Sequence, residues 1–155
     1  MADTILLTKE NLEQLKAKEA ELLIEKPQVI KRIELARSHG DLKENADYHA
    51  ARERLGLLEG QLEFVRDRIA RAEIIDTSKM STDKVIMGTR VKVEDVDGEI
   101  EYFHVVSDMD AGTTDEKVSI NSPIGKALIG KKIGDNVSIK IPRGTLNYKI
   151  LDISL

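Results

Sequence analysis

An α+β protein in two parts is predicted: a long antiparallel helical hairpin followed by an antiparallel β-sheet with one short helix. Residues 1–76 are dense in Glu, Lys, Arg, Leu and Ala, whereas residues 77–155 are rich in Val, Ile, Thr, Gly and Asp. That shift runs from helix-forming to strand-forming composition. Tyr48, Ala51, Leu55, Leu58, Leu62, Val65, Ile69 and Ala72 recur at alternating spacings of three and four, a sustained heptad seam. In the second half, an Asp97-Gly98 turn separates two apolar-rich runs, a strong hairpin signal.

The first helix is expected to start at Thr8 as N-cap, with Leu7 and Leu12 as a hydrophobic staple. Leu15, Leu22, Val29 and Ala36 recur every seven residues, with Leu12 and Ile33 in a companion row. Glu19 and Lys26 interrupt that row, while Leu23 and Ile30 sit one position away. Pro27 removes a backbone donor in mid-helix and should kink it. Folding the chain back on itself sets Ala36 opposite Ala51, Val29 opposite Leu58, Leu22 opposite Val65 and Leu15 opposite Ala72, with Ile33 opposite Leu55. The reversal then falls between Lys43 and Glu44. Helices of about 28 residues would reach roughly 42 Å, a prong with a polar, exposed tip. A coiled coil that dimerises between chains is the plainer alternative.

Residues 77–83, a polar run without periodicity, read as a linker between a hairpin at 1–76 and a β-domain at 84–155. Strands are expected at 90–94, 99–106 and 118–120. Ser122 and Pro123 then resemble an N-cap and first helical residue, and Gly130 is placed to end the short helix. Residues 137–141 and 146–153 form a last hairpin around Pro142-Arg143-Gly144-Thr145. Nothing in this half resembles an enzyme pocket.

Composition excludes several functions. The chain has 155 residues, a formal net charge of −4 and no cysteine, so disulfides, thiolate nucleophiles and Cys-ligated metals are absent. Residues 1–76 hold 13 basic against 16 acidic residues and residues 77–155 hold 11 against 12, so neither half is a basic duplex binder. With no Trp and five Phe or Tyr, a base-stacking platform is not expected. No run approaches the ~20 apolar residues of a membrane span, and the N-terminus lacks the pattern of a secretory signal. A cytoplasmic protein with no membrane partner is expected.

The tip is where chemistry concentrates. Asp41 and Glu44 have the spacing of a capping box, and Gly40 suits a left-handed helix end. Capping is the ordinary reading of that spacing. The other reading is chemical: carboxylates are hard oxygen ligands of the kind Mg²⁺ accepts, but two do not complete a cage. Such a tip would complete a metal site in another macromolecule and hold no metal stably alone.

The run Ala36-Arg37-Ser38-His39-Gly40-Asp41-Leu42-Lys43-Glu44-Asn45-Ala46-Asp47-Tyr48-His49-Ala50-Ala51-Arg52-Glu53 closely resembles the tip of the GreA/GreB family of bacterial transcript cleavage factors. Asn121-Ser122-Pro123-Ile124-Gly125-Lys126-Ala127-Leu128-Ile129-Gly130-Lys131 resembles the C-terminal domain of that family. The resemblance spans nearly the whole chain.

That resemblance implies an FKBP-like C-terminal domain that binds RNA polymerase, and a coiled coil inserted into the polymerase secondary channel. The factor is no enzyme itself; it stimulates the polymerase's own hydrolysis of the 3′ end of backtracked nascent RNA. Asp41 and Glu44 match the two tip carboxylates that share Mg²⁺ with the polymerase active site. Arg37 and Arg52 match the basic patch at the RNA 3′ end, and Lys43 either adds to it or neutralises nearby acids. Each of these cations also fits an ordinary solvated surface. Asn121, Ser122 and Pro123 match the polymerase-docking region, with Asn121 standing where many relatives carry an acid. Tyr48 fits core packing as well as contact with RNA or polymerase. His39 and His49 read as exposed tip residues, and His104 carries no motif. A monomer making short, GreA-like cleavages is implied, without the extended basic surface of the GreB-like branch. The alternatives are a paralogue that occupies the channel without promoting cleavage, against which the intact tip run argues, and a purely structural adaptor.

Overall fold

The computed structural model describes residues 3–41, 43–76 and 79–155. Residues 77 and 78 of the expected linker, and Leu42 of the tip, lie outside the described residues. The chain divides into two compact units, residues 1–75 and 76–155.

In the first unit, strand β1 (Ile5–Leu7) leads into helix α1 (Lys9–Arg37), and helix α2 (Ala46–Arg71) leads into strand β2 (Ala72–Ile74). Thr8 is the N-cap, as expected, and it forms a reciprocal box with Asn11. The Asn11 N–H donates to Thr8 Oγ1 at 3.0 Å and the Thr8 N–H donates to Asn11 Oδ1 at 3.1 Å. Asn11 is itself buried, a role the sequence reading did not assign. Strands β1 and β2 pair in parallel, Ile5 with Ala72 and Leu7 with Ile74. That ribbon was not foreseen. It ends α2 at Arg71, so Ala72 leaves the seam for a strand.

The predicted seam closes within the chain. Leu15, Leu22, Val29 and Ala36 are buried on α1, and Tyr48, Ala51, Leu58, Leu62 and Val65 on α2. Leu55 and Ile69 are half-buried. Glu19 and Lys26, which break the companion row, become interhelical ion pairs with Arg66 at 3.1 Å and Glu59 at 3.7 Å. Leu23 and Ile30 stay exposed. Charged residues thus flank an apolar seam as they do in paired helices generally. Helix α1 continues through Pro27, whose ring leaves one carbonyl without its helical donor on an exposed face.

Arg54 grips Glu25 with two bonds across the helices, Nε to Oε2 at 2.5 Å and Nη2 to Oε1 at 2.6 Å. The Arg54 hydrogen bonds hold the Glu25 carboxyl below its ordinary value near 4.5. A depressed carboxyl contributes stability above that ordinary value and loses it as pH falls through the lowered one. Arg54→Ala should therefore lower the melting temperature of the hairpin at neutral pH. The gap from the parent should close below about pH 4.5 and shrink with added salt. Thermal melts across pH check both.

Among the described residues the second unit is a five-stranded sheet with one α-helix: β3 (Arg90–Asp95), β4 (Ile100–Val106), β5 (Lys117–Ser119), α3 (Pro123–Leu128), β6 (Asn136–Ile141) and β7 (Gly144–Ser154). Spatial order is β5-β4-β3-β7-β6. All pairings are antiparallel except β4 with β5, which is parallel. The expected sheet was antiparallel throughout; the long connection from Val106 to Lys117 lets the chain cross over and return in the same direction. The last hairpin is tighter than expected, since Ile141 pairs with Gly144 and leaves Pro142-Arg143 as the turn. Gly144 makes this possible at φ +139°.

Strand β7 carries a bulge at Leu151, because Lys92 pairs with Asp152 while Val93 pairs with Ile150. The extra residue turns both Ile150 and Ile153 inward, opposite Val93 and Val91. These four join Val85, Phe103, Val105, Leu128, Val137, Ile139 and Tyr148 in one core. Helix α3 seats on this core through Leu128, and Gly130 follows it at φ +83°, donating to Val85 O at 2.9 Å.

Candidate functional site

Helix α1 ends and helix α2 begins at a loop whose described residues are 38–41 and 43–45, at the opposite end of the hairpin from the β1–β2 ribbon. A helix of α1's 29 residues spans about 43 Å. The loop therefore sits at the far end of a long arm.

The expected capping box at the tip does not form. Asn45, not Asp41, is the N-cap of α2: its Oδ1 accepts the Tyr48 N–H at 3.0 Å. The reason is register. Helix α2 begins at Ala46, so the amide that needs a cap belongs to Tyr48, beyond the reach of Asp41. Instead Asp41 Oδ1 accepts the Lys43 N–H at 3.0 Å, a local Asx turn. Glu44 is exposed and makes no hydrogen bond or ion pair with a described residue. Both carboxylates point their remaining capacity at solvent. Gly40 opens the loop at φ +116°, the left-handed backbone foreseen there.

Asn45 has a second bond. Its Nδ2 donates to Ala36 O at 2.7 Å, so one amide joins the end of α1 to the start of α2. Sequence reasoning missed this residue, although Asn directly before Ala46 with acidic Asp47 in the next turn is an N-cap signature. His49 Nε2 lies 3.2 Å from Lys43 O and steadies the loop from the helix side.

The cations divide. Arg37 is exposed in the last turn of α1, and Lys43 is exposed and forms no ion pair with Asp41 or Glu44 among the described residues. Arg52 is held: its Nη1 donates to the Tyr48 hydroxyl at 3.3 Å, with the guanidinium 5.7 Å from the ring centroid. Tyr48 is buried in the seam, so core packing is its first role and steering Arg52 its second. His39 is exposed and, with Arg32 and Asp47, rims a groove of about 340 Å³ left where Ala36, Ala50 and Ala51 are small. Among the described residues no cluster of three or more His, Asp or Glu gathers to hold a metal. Two exposed carboxylates fit a divalent ion only as a partial oxygen shell whose other ligands come from elsewhere.

In the second unit, Ser122 caps α3, its Oγ accepting the Gly125 N–H at 3.1 Å and donating to Ser119 O at 2.6 Å. Pro123 follows at the first helical position, exposed. Asn121 Nδ2 donates to Asp108 Oδ2 at 3.0 Å, and the Ser119 hydroxyl bonds the other oxygen of Asp108. A carboxylate thirteen residues earlier in the chain thus lies against Asn121, the position where an acid was expected.

Residues 5–74 match a family model described as "Transcription elongation factor, N-terminal", and residues 80–155 match "Transcription elongation factor, GreA/GreB, C-term". A protein of Thermodesulfovibrio yellowstonii named transcription elongation factor GreA is 48% identical over 99% of both chains. The chain belongs to the GreA/GreB family of transcription elongation factors. A GreA of Pelobacter propionicus is 44% identical over 99% of this chain and 98% of its own. A solved structure of the transcription factor Gfh1 is similar at a TM-score of 0.50, with 27% identity and 99% of each chain covered. No helix among the described residues is long and apolar enough to cross a membrane.

Proposed function

We propose that this elongation factor docks on bacterial RNA polymerase through Asn121, Ser122 and Pro123. Its hairpin enters the secondary channel as a monomer, in the cytoplasm, and stimulates the polymerase's own cleavage of backtracked RNA. The observation that carries this reading is the pair Asp41 and Glu44, exposed at the end of a long arm and left free of capping duty by Asn45.

A Mg²⁺ ion shared with the polymerase centre, for which Asp41 and Glu44 would be partial ligands, would supply water activation and charge neutralisation. Water adds to phosphorus, the P–O3′ bond breaks, and the leaving oxygen takes up a proton. Within that reaction Asp41 and Glu44 would add oxygen ligands and orient the water by accepting its hydrogen bonds. Arg37 and Arg52 would hold the RNA backbone, Arg52 already aimed by Tyr48. Positioning of this kind can lower a barrier by several kcal/mol. The factor brings no nucleophile.

The second reading is a channel occupant that does not promote cleavage. The tip run, with both acids in place, and relatives at 48% and 44% identity named GreA favour the cleavage factor. Adding the protein to halted, backtracked polymerase with Mg²⁺ tests it: the RNA should shorten from its 3′ end, and free RNA should stay intact. Arg37→Ala or Arg52→Ala should slow this cleavage about tenfold, the order of one charge-assisted contact, with less change in polymerase binding. Equal loss of both properties would move the two arginines to folding or docking.

A further inference from the structure

We infer that Asn45 is a positioning residue: by bonding both helix ends at once it fixes the loop on which Asp41 and Glu44 stand. The inference rests on the cleavage-stimulating role proposed above. A primary amide carries a donor and an acceptor on one planar group, and Asn45 uses both, Nδ2 to Ala36 O at 2.7 Å and Oδ1 from the Tyr48 N–H at 3.0 Å. The cap alone does not demand asparagine, since Ser and Asp serve as N-caps about equally well. The bond to Ala36 does demand it. Aspartate has no donor to give, and serine's hydroxyl is one atom shorter.

The bond closes the loop at its base. Ala36 is buried, and its carbonyl also accepts the His39 N–H at 3.1 Å, so the start and end of the loop share one anchor. Above that anchor, Lys43 is tied to Asp41 through its N–H and to His49 through its carbonyl. Glu44 lies between Lys43 and Asn45, its backbone held on both sides while its carboxylate stays free. Oxygen ligands meant for a shared ion must arrive within a fraction of an ångström, and a loosened support shell forfeits that. Among the described side chains of the loop, those of Ser38 and Asp41 bond only locally, to Leu35 O and to the Lys43 N–H, and neither joins the two helices.

The test uses Asn45→Ser, which keeps a neutral cap, and Asn45→Asp, which keeps a charged one. Each is assayed as the full chain on halted, backtracked polymerase beside Asp41→Ala and Glu44→Ala. Both Asn45 variants should half-saturate polymerase as the parent does and melt only a few degrees below it, the cost of the one bond to Ala36. Their maximal cleavage rate should fall about five- to tenfold, as loss of one hydrogen bond of this kind implies, and half-maximal rate should need more Mg²⁺. Parental cleavage by Asn45→Ser would overturn the inference and leave Asn45 a cap only. Parallel losses in melting, binding and cleavage would also overturn it, as a general folding defect. If Asp41→Ala and Glu44→Ala both cleave like the parent, the reading beneath it fails first, and the inference with it.

Discussion

Asp41→Ala and Glu44→Ala are each expected to reduce cleavage of backtracked RNA by at least about a hundredfold at saturating factor, the scale set by removing a preorganised charge-stabilising group. Binding to polymerase should be unchanged. The separation follows from geometry. Neither carboxylate caps α2, because Asn45 does, and neither forms an interhelical pair. Asp41 holds only the Lys43 N–H, a surface bond worth about 1 kcal/mol, and Glu44 holds nothing described. Asp41→Ala should therefore lower the melting temperature of the hairpin by at most about 4–8 °C, and Glu44→Ala should leave it unchanged. An adaptor whose acids merely cap helices would show the reverse, a small stability loss and no selective defect. Rates measured with and without excess factor separate the two.

Gly125→Ala should be the most damaging single methyl in the molecule. A Cβ built at Gly125 would stand 2.0 Å from Ser119 O and 2.9 Å from Ser119 C. These are backbone atoms of β5, which cannot swing aside as a side-chain end could. Helix α3 would have to lift from the sheet, taking Leu128 out of the core and breaking the Ser122 cap. A loss of about 3 kcal/mol or more is expected, beyond the usual range for overpacking. In a unit of this size that lowers the melting temperature by roughly 12 °C or more. Polymerase binding should fall with it, since Ser122 and Pro123 ride on α3. Gly56→Ala and Gly60→Ala make the contrast, because a Cβ there meets nothing within 4 Å. On an exposed helix each should stabilise by about 1 kcal/mol. Thermal melts of the three variants decide the matter.

The same contrast shows what could be read from the chain. Glycine in a helical run looks alike at 56, 60 and 125; only the approach of β5, set by tertiary packing, makes one of them obligatory. The seam was legible because heptads repeat over many turns and exclude other periods. The β1–β2 ribbon was not, since three-residue strands carry no period to detect. At the tip, Asp41 and Asn45 are both good caps, and local preference alone chose the wrong one. Which residue caps depends on where α2 begins, and the interhelical seam sets that through Tyr48 and Ala51. The misassignment bears on chemistry, for a capping Asp41 would have had less to offer a metal. Asp108 beside Asn121 was invisible for a similar reason: thirteen residues and a crossover separate them.

The most direct measurement is the Mg²⁺ dependence of RNA cleavage on one backtracked complex, with no factor, with the parent and with Asp41→Asn. A factor that lends oxygen ligands should lower the Mg²⁺ concentration for half-maximal rate, and Asp41→Asn should return it to the factor-free value while still occupying the polymerase. An Mg²⁺ requirement that stays the same in all three, with the parent nonetheless speeding cleavage, would contradict a role for the tip carboxylates at the metal.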